Sequence, residues 1–306
     1  MVKRILFTGA TGFIGSHVID LFMDKDYKLS IIKRSSSEVE RIKRHISKLT
    51  FFDHDIVSLN QIFDNYAFDA IIHLATQYRK SDVGTDSFEM YKVNVEFPKK
   101  LLRFAIKHNV KKFINTSTYF QYSPHTLPIS ENSRLLPFNE YAKTKIEFAK
   151  HLEASSDQIK AINLIIFSPY GPRDNDKLVS RVVKQALLNR PMDFSEGLQK
   201  LDLTFVKDVA RAYLRAIECS DSTLAAYTDV CIATGFPTSI REIVSLVEEI
   251  SGTNIEKTWG EKSASDYPVI FGDTVKAKEI LNWSAETDIK SGLKETIDYY
   301  RNIYLP

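Results

Sequence analysis

Two side chains suited to proton transfer lie one helical turn apart in the segment Tyr141-Ala142-Lys143-Thr144-Lys145. Residues four apart share a face of a helix, so the Tyr141 phenol and the Lys145 ammonium are neighbours. A neighbouring ammonium is expected to lower the pKa of the phenol from about 10 towards neutrality, which makes Tyr141 a candidate proton donor or acceptor. A Tyr and a Lys at this spacing also occur by chance on surface helices, so the pair needs support from its surroundings.

A glycine-rich loop near the start of the chain has the spacing of a phosphate-binding turn. The segment Thr8 to Gly15 follows an apolar run and precedes a predicted helix that begins at Ser16. Glycines at these positions permit a tight turn, a close approach of the backbone to a pyrophosphate, and close packing of helix on strand. The helix N-terminus then adds partial positive charge. Dinucleotide contacts are therefore predicted at Gly9, Thr11, Gly12, Phe13, Ile14 and Gly15.

The residues after the second predicted strand indicate which dinucleotide is bound. An NAD-binding unit usually carries an acid there, whereas this chain has Lys33-Arg34-Ser35. A guanidinium can bind a 2′-phosphate with two hydrogen bonds, so Arg34 and Ser35 favour NADP(H), with NAD(H) as the alternative. A solvated basic turn would explain the same residues. Asp55 and Ile56, after the third predicted strand, are candidates to bind the adenine amino group and cover its ring.

The elements that must position these residues alternate between strand and helix. Short apolar runs at 5–7, 29–32, 49–52, 70–74, 113–114 and 161–167 are separated by segments with helical periodicity, such as 93–106. This alternation predicts an α/β fold with a Rossmann-type, doubly wound parallel sheet. The periodicity fades after Ser168 and returns at 178–188 and 239–250, the second opened by a predicted Ser239–Glu242 capping box.

Two domains are expected from this organisation. Residues 1–167 form the predicted NADP(H)-binding Rossmann domain, with a return strand near 203–234. Residues 168–306 form a smaller mixed α/β substrate domain, placed over the strand ends where open α/β sheets bind ligands.

Composition excludes several other classes of protein. The 306 residues carry 41 Lys and Arg against 39 Asp and Glu, a net charge of +2 with the two signs interspersed, which argues against a dedicated nucleic-acid or membrane binder. The sequence contains no stretch of about 18 apolar residues, so no membrane span is predicted. Cys219 and Cys231 lack metal-ligand spacing and are interpreted as two buried thiols in a reducing compartment, so we expect no metal and a cytoplasmic protein.

Taken together, the motifs resemble the extended short-chain dehydrogenase/reductase family, in its NAD-dependent epimerase/dehydratase branch that modifies nucleotide sugars. The resemblance covers almost the whole chain and rests on matching segments in the family's order: 9–15, 72–75, Asn94, 113–118, 141–145 and 170–172. It implies that Thr118 polarises a substrate carbonyl, Tyr141 transfers the proton and Lys145 holds the nicotinamide ribose. Leu74, Ala75 and Asn94 are implied as further cofactor contacts, with a homodimer formed through helices that flank Tyr141.

Departures from the family pattern indicate which reaction is expected. Dehydratases of this branch place Asp and Glu after the Thr, whereas Thr118 is followed by Tyr119-Phe120. Sequence details are most similar to bacterial CDP- and dTDP-4-keto-6-deoxyhexose reductases, of the CDP-abequose and CDP-paratose synthase type. We therefore expect NADPH-dependent reduction of the 4-keto group of a nucleotide-activated 4-keto-6-deoxy or dideoxy hexose. The alternatives are a nucleotide-sugar 4-epimerase and an NADPH-dependent reductase of a smaller ketone or aldehyde, similar to dihydroflavonol reductases.

A dinucleotide sensor on the same scaffold is a third class of function, which the intact Thr118, Tyr141 and Lys145 disfavour. Two positions where family members carry Arg hold Leu201 and Lys262 here. The bidentate hydrogen bonds that an arginine can donate to a diphosphate are therefore lost at both positions. Other cations would have to replace it if the substrate is a nucleotide sugar. The candidate substrate contacts are Thr76, Tyr78, Tyr119, Lys177, Leu201, Arg241 and Lys262.

Overall fold

The computed structural model of the protein describes residues 3–82, 84, 86–220, 222, 224–260 and 267–305. The strands are β1 (Lys3–Thr8), β2 (Tyr27–Lys33), β3 (Thr50–Asp53), β4 (Ala70–His73), β5 (Lys112–Thr118), β6 (Lys160–Ile166), β7 (Met192–Phe194), β8 (Lys200–Asp202), β9 (Tyr227–Ile232), β10 (Pro237–Ser239), β11 (Lys257–Trp259) and β12 (Val269–Ile270). The α-helices are α1 (Phe13–Met23), α2 (Leu59–Asn65), α3 (Ser87–Tyr91), α4 (Phe97–Lys107), α5 (Glu140–Glu153), α6 (Leu178–Leu187), α7 (Val206–Glu218), α8 (Ile240–Ser251), α9 (Val275–Leu281) and α10 (Ile289–Tyr304). Short 3₁₀ helices span Glu40–Lys48 and Tyr119–Gln121.

The main sheet has seven parallel strands in the order β3-β2-β1-β4-β5-β6-β9. The chain moves outwards from β1 in both directions, which makes the gap between β1 and β4 the point where the strand order reverses. Ligands of such sheets bind outside the carboxyl ends of the strands at this point. The predicted doubly wound α/β fold is confirmed, and its strands overlap the predicted apolar runs.

Both faces of the main sheet are covered by helices. On one face, α1 and α7 pack on the sheet through residues such as Val18, Phe22 and Tyr213. On the other, α2, α4 and α5 pack through residues such as Leu101 and Phe148. The strand expected near 203–234 is β9, and α7, which precedes it, joins the same core.

A third buried cluster joins α6, α8 and α10 to the small sheets formed by β10-β8-β12 and β11-β7. The predicted capping box at the start of α8 is confirmed. The Ser239 N–H donates to the Glu242 carboxylate at 2.7 Å, and the Glu242 N–H donates to Ser239 Oγ at 3.2 Å. These reciprocal bonds satisfy two donors at the helix N-terminus, which fixes where α8 begins.

The helix predicted over 93–106 is interrupted. A π-helical turn at Lys92–Glu96 separates α3 from α4, and Pro98 lies at the N-terminal end of α4. Proline cannot donate a backbone hydrogen bond to the preceding turn, which favours a break at this place. Such π-helical turns often lie at functional sites, and this one carries Asn94.

The described residues include no helix with the length and apolar character needed to cross a lipid bilayer. Cys219 and Cys231 form no disulfide bond among the described residues. Cys231 is buried as expected, whereas Cys219 is only half-buried because it lies at the exposed end of α7.

Candidate active site

The glycine loop between β1 and α1 leaves room and donors for a dinucleotide. Gly9 has a φ of +71°, which favours glycine, and a Cβ there would lie 2.5 Å from the backbone nitrogen of Ala75. A Cβ at Gly15 would lie 2.2 Å from the carbonyl oxygen of Gly9, so α1 begins directly against the loop. Gly12 caps α1 without a side chain, and the first helical turn, with Phe13 and Ile14, holds no acidic residue. The N–H groups of this turn can therefore face a pyrophosphate.

Beside this loop, β4 ends in a buried hydrogen-bonded arrangement. Thr8 Oγ1 lies 2.7 Å from His73 Nδ1 and accepts the Ala75 N–H at 3.3 Å, while the Leu74 N–H donates to the Thr8 carbonyl at 3.0 Å. Burial lowers the pKa of His73 well below its usual value, so the imidazole is neutral. His73 is therefore a core residue, and Leu74 and Ala75 lie where a dinucleotide would pass.

At the adenosine end, the loop after β2 is held to the end of β3. Ser35 donates through its N–H to Asp55 at 2.9 Å and through its hydroxyl to Asp53 at 2.8 Å. Lys33 Nζ lies 3.5 Å from Asp53 and offsets its charge, whereas the Arg34 side chain is exposed. Ile56 is 77% exposed, which leaves an apolar face free for a planar ring. Sequence analysis did not identify Asp53 as a residue of this loop contact, although acidic residues at positions 53 and 55 follow each other closely.

The predicted catalytic residues meet at the carboxyl edge of the main sheet, where α5 packs on β5. Asn139 Oδ1 accepts the Ala142 N–H at 2.9 Å, which fixes the start of α5 and places Tyr141 in its first turn. Tyr141 is 7% and Lys145 2% exposed, with the ammonium nitrogen 5.8 Å from the Tyr141 ring centroid.

Thr118 ends β5 next to these residues. Its hydroxyl oxygen accepts the Phe120 N–H at 3.3 Å, so the hydroxyl hydrogen can still be donated to a ligand. Ser117 points elsewhere, as the alternation of a strand predicts, because its hydroxyl donates to Gln121 at 2.9 Å. Phe120 shares a buried cluster with Tyr141, so Thr118 and Tyr141 lie beside the same group of side chains.

The predicted acidification of Tyr141 by Lys145 is wrong in this structure. Burial raises the pKa of Tyr141 above 10, a nearby Tyr78 adds to this, and a hydrogen bond with Thr76 opposes it. Burial also lowers the pKa of Lys145 from 10.5 to about 7. Loss of water disfavours phenolate and ammonium alike. Tyr141 is therefore protonated and ready to donate, while Lys145 changes charge near neutral pH.

Asn94, from the π-helical turn, holds the segment after β4 against α5. Its Oδ1 accepts from Thr76 Oγ1 at 3.0 Å and from the Gln77 N–H at 2.8 Å. Its Nδ2 donates to the Gln77 carbonyl at 3.0 Å and to Thr144 Oγ1 at 3.1 Å. These four hydrogen bonds occupy the side-chain amide of Asn94, which leaves it no donor for the direct cofactor contact that was predicted. Asn94 instead positions Thr76, the hydrogen-bond partner of Tyr141.

Some of the predicted substrate residues lie beside Tyr141. The Tyr78 ring meets the Tyr141 ring edge-on, with centroids 5.0 Å apart and planes at 86°, and Lys177 Nζ lies 4.8 Å from the Tyr78 centroid. Tyr119 is buried and stacks on Phe167 with centroids 5.1 Å apart.

Two other predicted substrate residues, Arg241 and Leu201, are not brought to Tyr141 by any contact among the described residues. Arg241 lies on the Trp259 ring at 4.4 Å and donates to the Glu196 carbonyl at 2.7 Å. Leu201 is a half-buried residue of β8. Lys262 lies outside the described residues.

A hydrogen-bond network joins α1 and the 3₁₀ helix at Glu40–Lys48 to the loop after β6. Arg173, in the loop after β6, donates to Asp20 of α1 at 2.5 Å and to the Arg41 carbonyl at 2.9 Å. In return, Arg41 donates to the Arg173 carbonyl at 3.1 Å and to Asn175 at 2.6 Å. We call this set of Asp20, Arg41, Arg173 and Asn175 the cross-loop network. Nothing in the sequence signalled it, because its members lie far apart along the chain.

The fold is that of a dinucleotide-binding α/β enzyme, and Thr118, Tyr141 and Lys145 lie on elements that pack together at the carboxyl edge of its parallel sheet. The profile of the NAD dependent epimerase/dehydratase family matches residues 5–228, and the chain belongs to this family. The family resemblance inferred from the motifs is thereby confirmed.

Relatives named for different activities align over nearly the whole chain. The uncharacterised UDP-glucose epimerase YtcB of Bacillus subtilis (strain 168) is 28% identical over 98% of this chain and 99% of its own. The CDP-abequose synthase of Salmonella muenchen is 27% identical over 96% and 97%. The crystal structure of the UDP-glucose 4-epimerase of Thermotoga maritima with UDP-glucose is similar with a TM-score of 0.89 and 28% identity, covering 98% and 99% of the two chains.

Proposed function

We propose that this protein carries out redox chemistry at C4 of a nucleotide-bound hexose and that its net reaction is 4-epimerisation. The observation that carries the proposal is the buried Tyr141 beside Lys145, at the sheet edge where Thr118 ends β5, next to a glycine loop that fits a dinucleotide. The full-length similarity to a UDP-glucose 4-epimerase supports the same conclusion. This reverses the order of the sequence-based interpretations, which placed a reductase first and a 4-epimerase among the alternatives.

Each catalytic residue has a defined task in this reaction. The bound dinucleotide supplies reversible hydride transfer. Tyr141 moves a proton to or from the oxygen on C4, and Thr118 donates a hydrogen bond to the same oxygen. Lys145 binds the nicotinamide ribose, and its charged form stabilises the Tyr141 phenolate whenever the proton has left. The buried surroundings of all three residues strengthen these interactions because water is excluded.

The experiment that tests epimerisation supplies UDP-, dTDP- and CDP-hexoses to the purified protein and analyses the sugars by nuclear magnetic resonance. An epimerase converts each accepted sugar into its C4 epimer, and the absorbance of reduced cofactor does not change over many turnovers. Failure to form a C4 epimer from any of these sugars would contradict the proposal.

A second candidate is supported by the loop after β2. Arg34 is exposed in this loop, and β2 contains no acidic residue that would bind the ribose 2′-hydroxyl of NAD. This arrangement suits a dissociable NADPH used once per turnover. A reductase of nucleotide-bound 4-keto-6-deoxyhexoses would consume one NADPH for each molecule reduced. If only a simple ketone or aldehyde is reduced, the smaller-substrate alternative is the correct one.

Replacement of Arg34 tests which cofactor is used. Arg34→Ala should weaken NADPH binding about tenfold or more and change NADH binding little, because only NADPH offers a 2′-phosphate for a charge-assisted hydrogen bond. Fluorescence titration of both cofactors measures the ratio. The matched control is Arg190→Ala, at an exposed position after α6. An unchanged ratio in Arg34→Ala would show that Arg34 does not bind the phosphate.

The homodimer remains a prediction, and the structure excludes one apolar residue of α5 from the possible interface. Phe148, an apolar residue near Tyr141, cannot take part because it is buried against His73 and Phe113. Ile146 and Ala149 are half-buried on the outer side of α5. Ile146→Glu should therefore convert a dimer into a monomer in analytical ultracentrifugation. A dimer that survives this change would place the interface elsewhere.

A further inference from the structure

Lys177 is a half-buried residue that forms no salt bridge with the described residues. Its ammonium lies 4.8 Å from the centroid of the Tyr78 ring. Asp174 attracts this ammonium electrostatically, but the Asp174 carboxylate also accepts hydrogen bonds from Ser180 Oγ at 3.0 Å and the Asn175 N–H at 2.6 Å. A cation withdrawn from water without a salt bridge is costly, and a bound anion would offset that cost.

The position of Lys177 relates this cation to the catalytic centre. One aromatic ring, that of Tyr78, separates the ammonium from the Tyr141 ring. An anion bound by Lys177 would therefore lie beside a hexose whose C4 oxygen reaches Tyr141. The loop that carries Lys177 is held in place by Arg41, which donates to Asn175 at 2.6 Å. The cation is thus presented from a fixed loop.

We infer that Lys177 binds the diphosphate of the substrate and replaces the arginine expected where β8 carries Leu201. This rests on the proposed function, since it assumes a nucleotide-bound sugar. Tyr78 is a positioning residue, because its ring lies between Lys177 and Tyr141 and sets the distance from the diphosphate to the reacting carbon. Substrate selection then depends on the charge at position 177, because the position of the expected arginine in β8 holds Leu201.

Calorimetric titration with UDP, CDP and dTDP, and with the matching nucleosides, tests this inference. Lys177→Met keeps the length of the side chain and removes its charge. It should weaken binding of the accepted nucleoside diphosphate about tenfold or more and leave the nucleoside unchanged, because only the diphosphate loses a charge-assisted bond. Lys177→Arg should restore most of the affinity. With a turned-over sugar nucleotide, KM should rise in Lys177→Met while kcat changes little.

Lys184→Met is the matched control. Lys184 lies on α6 and, like Lys177, has its ammonium near a tyrosine ring, 5.7 Å from the Tyr304 centroid, but it takes no part in the catalytic centre. This variant should bind the nucleoside diphosphates like the unchanged protein.

Three outcomes would overturn the inference. The first is unchanged affinity of Lys177→Met for nucleoside diphosphates, and the second is no preference of the unchanged protein for diphosphate over nucleoside. The third is a loss confined to UDP-glucuronic acid and absent with UDP and UDP-glucose, which would assign the cation to a carboxylate on the sugar. If binding depends on Lys177 but no nucleotide sugar is turned over, the inference stands and the proposed function fails.

Discussion

Tyr141→Phe is expected to slow turnover by about 100-fold or more while dinucleotide binding persists. The change removes only the hydroxyl that moves the proton, and general acid–base catalysis by a positioned side chain typically contributes at least this much. The ring keeps its contacts with Tyr78 and with the buried cluster around Phe120. The initial rate with the best substrate and the amount of bound cofactor are the two measurements.

Tyr66→Phe is the control for this substitution, because Tyr66 is exposed after α2 and takes no part in the centre. Its rate should equal that of the unchanged protein. A nearly normal rate in Tyr141→Phe would refute the role assigned to Tyr141.

Lys145→Met is expected to abolish turnover and to make the ligand-free protein more stable. The folded-state pKa of Lys145 is about 7, against 10.5 in the unfolded chain, so below pH 7 the fold holds an ammonium without a hydrogen-bond partner among the described residues. The unfolded state binds more protons between these two values, so the contribution of Lys145 to stability rises with pH across that window. The gain in Lys145→Met should therefore be at least about 1 kcal/mol at pH 6 and vanish towards pH 10.5.

Urea unfolding at several pH values measures this gain, and Lys112→Met is the control. Lys112 is also buried, but its ammonium donates to the carbonyls of Cys219 at 2.9 Å and Ala216 at 3.2 Å at the end of α7. Loss of those bonds should destabilise the protein at every pH. If Lys145→Met were destabilised at pH 6 like Lys112→Met, Lys145 would have a structural partner and its role in the site would need revision.

Local patterns account for the parts of the molecule that the sequence predicted well. The strand and helix flanking Gly9 and Gly15 follow from nearby residues, as does the capping box of Ser239 and Glu242. Hydrogen bonds between residues a few positions apart decide these features, so a single sequence contains the information. The Thr118, Tyr141 and Lys145 centre was predicted from motifs, and the fold brings its elements to one edge of the sheet.

The features that the sequence did not predict depend on distant contacts or on burial. The pKa of Tyr141 is raised because the folded chain removes water from its surroundings, which no spacing of residues indicates. The contact of Lys177 with Tyr78 joins two loops from different halves of the chain. The π-helical turn at Asn94 interrupts a segment whose apolar periodicity is that of a regular helix.

The cross-loop network has a consequence for protein engineering. Arg41 lies in the 3₁₀ helix that follows the Arg34 loop. It donates hydrogen bonds to Arg173 and Asn175, and Asn175 lies two residues before Lys177 in the chain. Transplanting residues 34–45 from an NAD-specific homologue would break those bonds as well as remove the arginine. A graft meant to alter only coenzyme preference would thus also disturb the loop that carries Lys177, unless the recipient's arginine at position 41 were kept.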